Sequence, residues 1–129
     1  MKKLIKIFVF ISLLLAALTA CGAANEVNLD ADDDGGQVEL KSDQTMVISL
    51  EGNPTTGYTW EVAQVDEAVL KQVGEAEFEP DSDAVGSGGV QVLRFEAVNS
   101  GQTSLDLVYH RSWEDEEPVE TFSVQVVVP

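Results

Sequence analysis

The chain is poor in several residue types. Its 129 residues hold one cysteine, one histidine and seven Lys or Arg against 23 Asp or Glu. A single Cys closes no internal disulfide, and one Cys with one His cannot assemble a Cys/His metal site. No Gly-x-Ser-x-Gly elbow is present, and the many carboxylates show no obvious pairing, so the common hydrolytic arrangements are missing and an enzyme is disfavoured. The formal charge of −16 repels phosphate backbones and anionic lipid surfaces, which excludes nucleic acid as a partner. The apolar run from Ile7 to Leu18 is too short for a comfortable transmembrane helix.

That run belongs to an export signal. Lys2, Lys3 and Lys6 form its basic start, and Leu18-Thr19-Ala20-Cys21 matches the bacterial lipobox. Residues 1–20 are therefore expected to be removed, with Cys21 lipidated on its sulfur and acylated on its new amino group. Each buried methylene contributes about 0.8 kcal/mol, and two or more chains anchor stably. The expected location is the cell envelope, on its periplasmic or surface face, with membrane association coming from the lipid alone. Every acidic residue lies beyond Cys21 and three of the seven basic ones precede it, so the mature charge moves from −16 to −19.

Residues 21–36 read as an acidic tether, since Gly22 to Gly36 is short of apolar side chains and ends in Asp-Ala-Asp-Asp-Asp-Gly-Gly. Asp30, Asp32, Asp34 and Gly35 imitate the first half of an EF-hand loop. The imitation fails at its twelfth position, where Lys41 stands in place of the bidentate Glu. No metal or cofactor is expected.

Residues 37–129 suffice for one small domain with a single core. Apolar residues recur there at a period of two, the mark of half-buried strands. The expected strands are Val38 to Lys41, Thr45 to Leu50, Thr59 to Val65, Val69 to Phe78 with a break at Gly74, Val90 to Ala97, Thr103 to His110, and Glu120 to Val128. The fold class is all-β, an antiparallel β-sandwich of about seven strands, with room for a short helical turn around Asp66 to Leu70. The domain is expected to be monomeric.

Three connections look too specialised to be plain loops. Asn53-Pro54-Thr55-Thr56-Gly57-Tyr58-Thr59-Trp60 combines turn chemistry with two threonines and two aromatics, making a stiff, weakly charged tip suited to entering a cleft. The second holds Gly86-Ser87-Gly88-Gly89, and the third holds Arg111-Ser112-Trp113 followed by Glu114 to Glu117. Two strand traverses separate the first from the second, and two more separate the second from the third. An even number returns the chain to the same end of a sandwich, so the three should lie side by side.

An NPTTGY loop, a GxGG loop and a later Arg-x-Trp loop, in that order on a small all-β domain, resemble the chagasin family of cysteine-peptidase inhibitors over roughly Gln37 to Pro129. The family usually has Arg-Pro-Trp where this chain has Ser112. The resemblance implies an immunoglobulin-like fold whose three loops block the active-site cleft of papain-like peptidases. In that reading Asn53, Pro54, Thr55, Thr56, Gly57 and Tyr58 form the central contact. Gly86, Ser87, Gly88 and Gly89 lie on one lip, and Arg111, Ser112 and Trp113 lie beside the cleft.

Each residue also has a plainer role. Trp60 points into the start of a strand and reads as core. Arg111 could simply pair with Asp115 or Glu116, and His110, at a strand end, reads as a hydrogen-bonded structural residue. A surface adhesion or carbohydrate-binding module is the rival function, with Tyr58 and Trp113 stacking on sugar rings.

Overall fold

The computed structural model describes residues 25–129, so the expected export signal and Cys21 lie outside the described residues. Nine strands form two sheets: β1 Glu26–Leu29, β2 Gln37–Glu39, β3 Thr45–Gly52, β4 Thr59–Gln64, β5 Leu70–Gln72, β6 Glu77–Pro80, β7 Gly89–Ala97, β8 Gly101–His110 and β9 Glu120–Val128. One sheet runs β1-β3-β7-β5 with β6 also on β7, and the other runs β2-β9-β8-β4. Between them lies a single core that includes Met46, Ile48, Leu93 and Phe95 from one sheet and Leu105, Leu107, Phe122 and Val126 from the other. These are the period-two positions of β3, β7, β8 and β9, whose opposite faces are exposed or half-buried except at Val47 and Val92.

The segment expected from Val69 to Phe78 breaks where anticipated, at Gly74, whose φ of 69° bends the chain. The two pieces still run along one neighbour, β5 opposite Ala97 to Phe95 and β6 opposite Val92 to Gly89. They therefore make one interrupted traverse, and the parity of the loops is preserved. At Asp66 the chain makes a single helical turn, with Val69 and Leu70 both donating to the Asp66 carbonyl at 3.0 Å.

Two features depart from expectation. The sandwich is antiparallel in its body but carries two parallel additions, β1 on β3 and β2 on β9. The acidic stretch before Gln37 is also not a tether from end to end, because the folded unit begins at Glu26. Val27 packs against the core and Leu29 enters it, so a strand with only two apolar side chains earns its place by docking on β3. The aspartates that follow serve the backbone. Asp30 caps a 3-10 turn at Ala31–Asp33, with Asp33 reaching back to the Asp30 amide at 2.9 Å. Asp34 then accepts from the Ser123 amide at 2.8 Å, joining the crossover to β9. Capping by Asp30 and Asp33 and the Asp34 bond to β9, not calcium geometry, give structural roles to three of the four acids.

Register places the three loops. Gly52 at the end of β3 faces Gly89 at the start of β7, which sets the first loop beside the second. Thr59 at the start of β4 faces His110 at the end of β8, which sets the first loop beside the third.

Candidate functional site

The first loop is a capped turn. Asn53 accepts from the Thr55 amide at 3.2 Å, and the 3-10 turn Pro54–Thr56 follows with proline in its first turn, where no amide donor is needed. Gly57 closes it at φ 87° and donates to the Pro54 carbonyl at 3.0 Å. Both threonine hydroxyls turn inward, Thr55 to the Asn53 side chain at 2.5 Å and Thr56 to the Asn53 carbonyl at 2.6 Å. Pro54, Thr55 and Thr56 are exposed, with both threonine hydroxyl protons committed within the loop.

An aromatic stack supports this turn from below. Tyr109 lies 5.5 Å from Tyr58 and 5.1 Å from Trp60, ring centre to ring centre. Its hydroxyl accepts from the Asn53 amide at 2.9 Å. Trp60 is 4% exposed, as a core residue should be, and donates its indole N–H to the Glu51 carbonyl at 2.9 Å. Beneath it Gln91, 4% exposed, accepts from the Trp60 amide at 3.0 Å and donates to the Thr59 hydroxyl at 2.9 Å. A buried amide with both ends satisfied fixes the direction in which β4 leaves the turn.

The second loop meets the first through Asn53, whose side-chain amide donates to the Gly86 carbonyl at 3.1 Å. Its own base is closed by the Asp81 amide donating to Gly88 at 3.0 Å and by the Ser87 hydroxyl donating to Gly88 at 2.9 Å. Glycine is required at its end: a Cβ on Gly89 would stand 2.1 Å from the Glu79 carbonyl oxygen.

The third loop reaches the first from the other side. Arg111 donates Nε–H to the Thr56 carbonyl at 3.0 Å, lies 4.4 Å over the Tyr58 ring, and pairs with Glu114 at 3.1 Å. Its carboxylate partner is thus Glu114, not Asp115 or Glu116, because Glu114 N–H bonds the Arg111 carbonyl at 3.1 Å and folds that side chain back. With Ser112 in place of proline, the loop is held by these contacts instead of by a fixed φ. Trp113 remains 70% exposed, with its ring edge lying over Gly57. His110 bonds Glu61 at 3.0 Å, a structural pairing on the sheet face.

All three sequence-marked stretches therefore come together, with Asn53 to Tyr58 in the middle. Tyr109 and Gln91 were not marked, although one signal was available for Gln91: it is the lone polar residue among the inward positions 89, 91, 93 and 95 of β7. Among the described residues no group of three or more His, Cys, Asp or Glu could hold a metal ion.

Residues 39–126 match the family model described as chagasin family peptidase inhibitor I42. Amoebiasin-1 of Entamoeba histolytica is 28% identical over 102 residues, covering 79% of this chain and 99% of that protein. The crystal structure of a cysteine protease inhibitor from Entamoeba histolytica superposes with a TM-score of 0.71 at 24% identity, over 81% of this chain and 96% of that one. PbICP-C, whose structure is known in complex with falcipain-2, superposes with a TM-score of 0.55 at 17% identity, over 82% of this chain and all of that one. At these identities the two structures speak to the fold.

Proposed function

The chain belongs to the chagasin family of peptidase inhibitors, and on that premise we propose that it inhibits papain-like cysteine peptidases reversibly by seating its three joined loops in the active-site cleft. It is an inhibitor and not an enzyme. The observation that carries the proposal is the convergence of the loops, with the 53–58 turn held between Gly86 on one side and Arg111 on the other.

The turn also explains why such an inhibitor would not be cut. A papain-like peptidase attacks a carbonyl in an extended backbone with a thiolate stabilised by a histidinium. Here the backbone is curled into a 3-10 turn, and three of its carbonyls are engaged by donors of the inhibitor itself. The Asn53 oxygen accepts from the amide and hydroxyl of Thr56, the Pro54 oxygen from the Gly57 amide, and the Thr56 oxygen from Arg111. Uncurling the turn would break all of these at once, so the peptidase would meet a filled cleft with no substrate geometry in it. In the complex Pro54 to Gly57 would approach the catalytic pair, Trp113 would cover apolar surface beside it, and Gly86 to Gly89 would lie along the opposite lip.

The sugar-binding reading loses one of its two rings, since Tyr58 is engaged by Arg111 and Tyr109 and only Trp113 is left exposed. Anchoring through Cys21 fits the placement of the first strand. β1 runs parallel to β3 from Glu26 beside Thr45, at the pole opposite the 53–58 turn. A lipid at Cys21 would leave only residues 22–25 as spacer, about 13 Å when extended. It would hold a monomeric inhibitor close to the bilayer with its loops facing away.

The test is titration of active-site-counted papain with the soluble protein from Gly22 onward. One-to-one loss of activity, with the inhibitor recovered uncut, is the expected result. Undiminished papain activity, or steady cleavage within residues 53–58, would reject the proposal.

A further inference from the structure

A groove of about 900 Å³ opens on the flank of the sandwich, starting at Asn53 and Gly88 in the roots of the first two loops and reaching down to the Asp30–Asp34 crossover. Topology creates it. β1 covers β3 only as far as Ile48, and β2 covers β9 only from Gln125 onward, so the half of that edge nearest the loops is left open. Tyr109 is its half-buried ring, since Leu50 and Trp60, which also border it, are only 3% and 4% exposed, while Asp32, Glu51, Asp81 and Glu120 also line it and no Lys or Arg does. Among the described residues none of these four carboxylates is in an ion pair.

We propose that this groove seats a lysine- or arginine-bearing segment of the peptidase held by the loops. The proposal rests on the inhibitor reading of the three loops and adds a partner class to it: peptidases with a basic lip on the side met by Gly86 to Gly89. A long basic side chain matches both halves of the groove, its alkyl stem lying against the half-buried Tyr109 while its head sits among the carboxylates. A basic Asp- and Glu-free lip also has the charge that four unpaired carboxylates attract, which raises the association rate and discriminates among partners. The groove shares Asn53 and Gly88 with the loops, so a peptidase seated on them reaches it without a second binding event.

The experiment compares the native protein with the triple variant Glu51→Gln, Asp81→Asn, Glu120→Gln against two papain-like peptidases, one with a lysine-rich and one with an acidic cleft rim. The native protein should prefer the basic-rimmed peptidase, and the variant should bind it at least ten-fold more weakly in low salt, mostly through slower association. The variant's inhibition of the acidic-rimmed peptidase should hold or improve, and 0.5 M NaCl should shrink the difference between the two proteins. Equal affinity of native and variant for the basic-rimmed peptidase, or an equal loss against both peptidases, overturns the groove proposal while leaving loop inhibition standing. Failure of the native protein to inhibit either peptidase removes the inhibitor reading and the groove proposal with it. Thermal unfolding of the variant, expected within a degree or two of native, separates these outcomes from misfolding.

Discussion

Arg111 donates its Nε–H to the carbonyl oxygen of Thr56 at 3.0 Å, tying together two loops that stand 55 positions apart in the chain. The bond both joins the third loop to the first and occupies the carbonyl oxygen that a peptidase's oxyanion-hole donors would have to bind. Arg111→Lys keeps the charge but loses the planar fork and the stacking on Tyr58. Inhibition should weaken roughly ten-fold, and limited cleavage within residues 53–58 should become visible by mass spectrometry after prolonged incubation with papain.

Gly57 is constrained twice. Its φ is 87°, and a Cβ there would stand 2.5 Å from the Trp113 ring. An L-residue in this conformation costs about 1–2 kcal/mol. Gly57→Ala should lower Tm by roughly 4–8 °C per kcal/mol lost and should weaken inhibition more than stability, because the added methyl pushes Trp113 off the turn.

Trp113 is 70% exposed, so removing it leaves the core intact. Truncating an aromatic anchor at an interface centre typically costs 2 kcal/mol or more. Trp113→Ala should therefore raise the inhibition constant about 30-fold with Tm almost unchanged; an unchanged inhibition constant would mean that the third loop does not touch the peptidase.

Tyr109 has two functions that one substitution can separate. Tyr109→Phe retains the ring stack with Tyr58 and Trp60 but removes the oxygen that accepts from the Asn53 amide. A single neutral hydrogen bond contributes about 1 kcal/mol net. Denaturant unfolding should show that loss, and inhibition should fall only several-fold, through a turn that is less firmly held rather than one that is missing.

The acidic segment before Gln37 offers a stability test free of the loops. A protein starting at Gln37 lacks β1, and with it Leu29, which is 8% exposed in the core. Burial of one leucine is worth about 1.5–3 kcal/mol, so Tm should drop relative to a protein starting at Gly22. Its inhibition constant at low temperature should be the same against a peptidase without a basic rim, since the start of β1 lies at the pole away from the loops and only the Asp30–Asp34 end of the groove is lost with it.

Much of this was legible in the chain itself. Alternating apolar residues marked the strands from Thr45 to Val128 to within a few positions, because a half-buried strand must alternate. The parity of the traverses put the three loops at one end, and the register of Gly52 with Gly89 and of Thr59 with His110 shows that it did. The strand at Glu26–Leu29 was illegible: two apolar side chains among acids look the same in a tether and in a strand, and only the free edge of β3 distinguishes them. The partner of Arg111 was illegible too, since Glu114, Asp115 and Glu116 are all within reach along the chain and the backbone bond from Glu114 to Arg111 selects the first.

Local chemistry by itself determined the form of the central turn. An Asn cap, a proline in the first turn and a glycine able to take positive φ act over five residues and need nothing distant to work. Tertiary structure alone decided what that turn rests on and what it presents, since the Tyr109 hydroxyl, the Gly86 carbonyl, the Arg111 guanidinium and the Trp113 ring arrive from 33 to 56 positions away. Such contacts depend on where the sheets return the chain, and that is set by the packing of the whole core and not by any stretch of it.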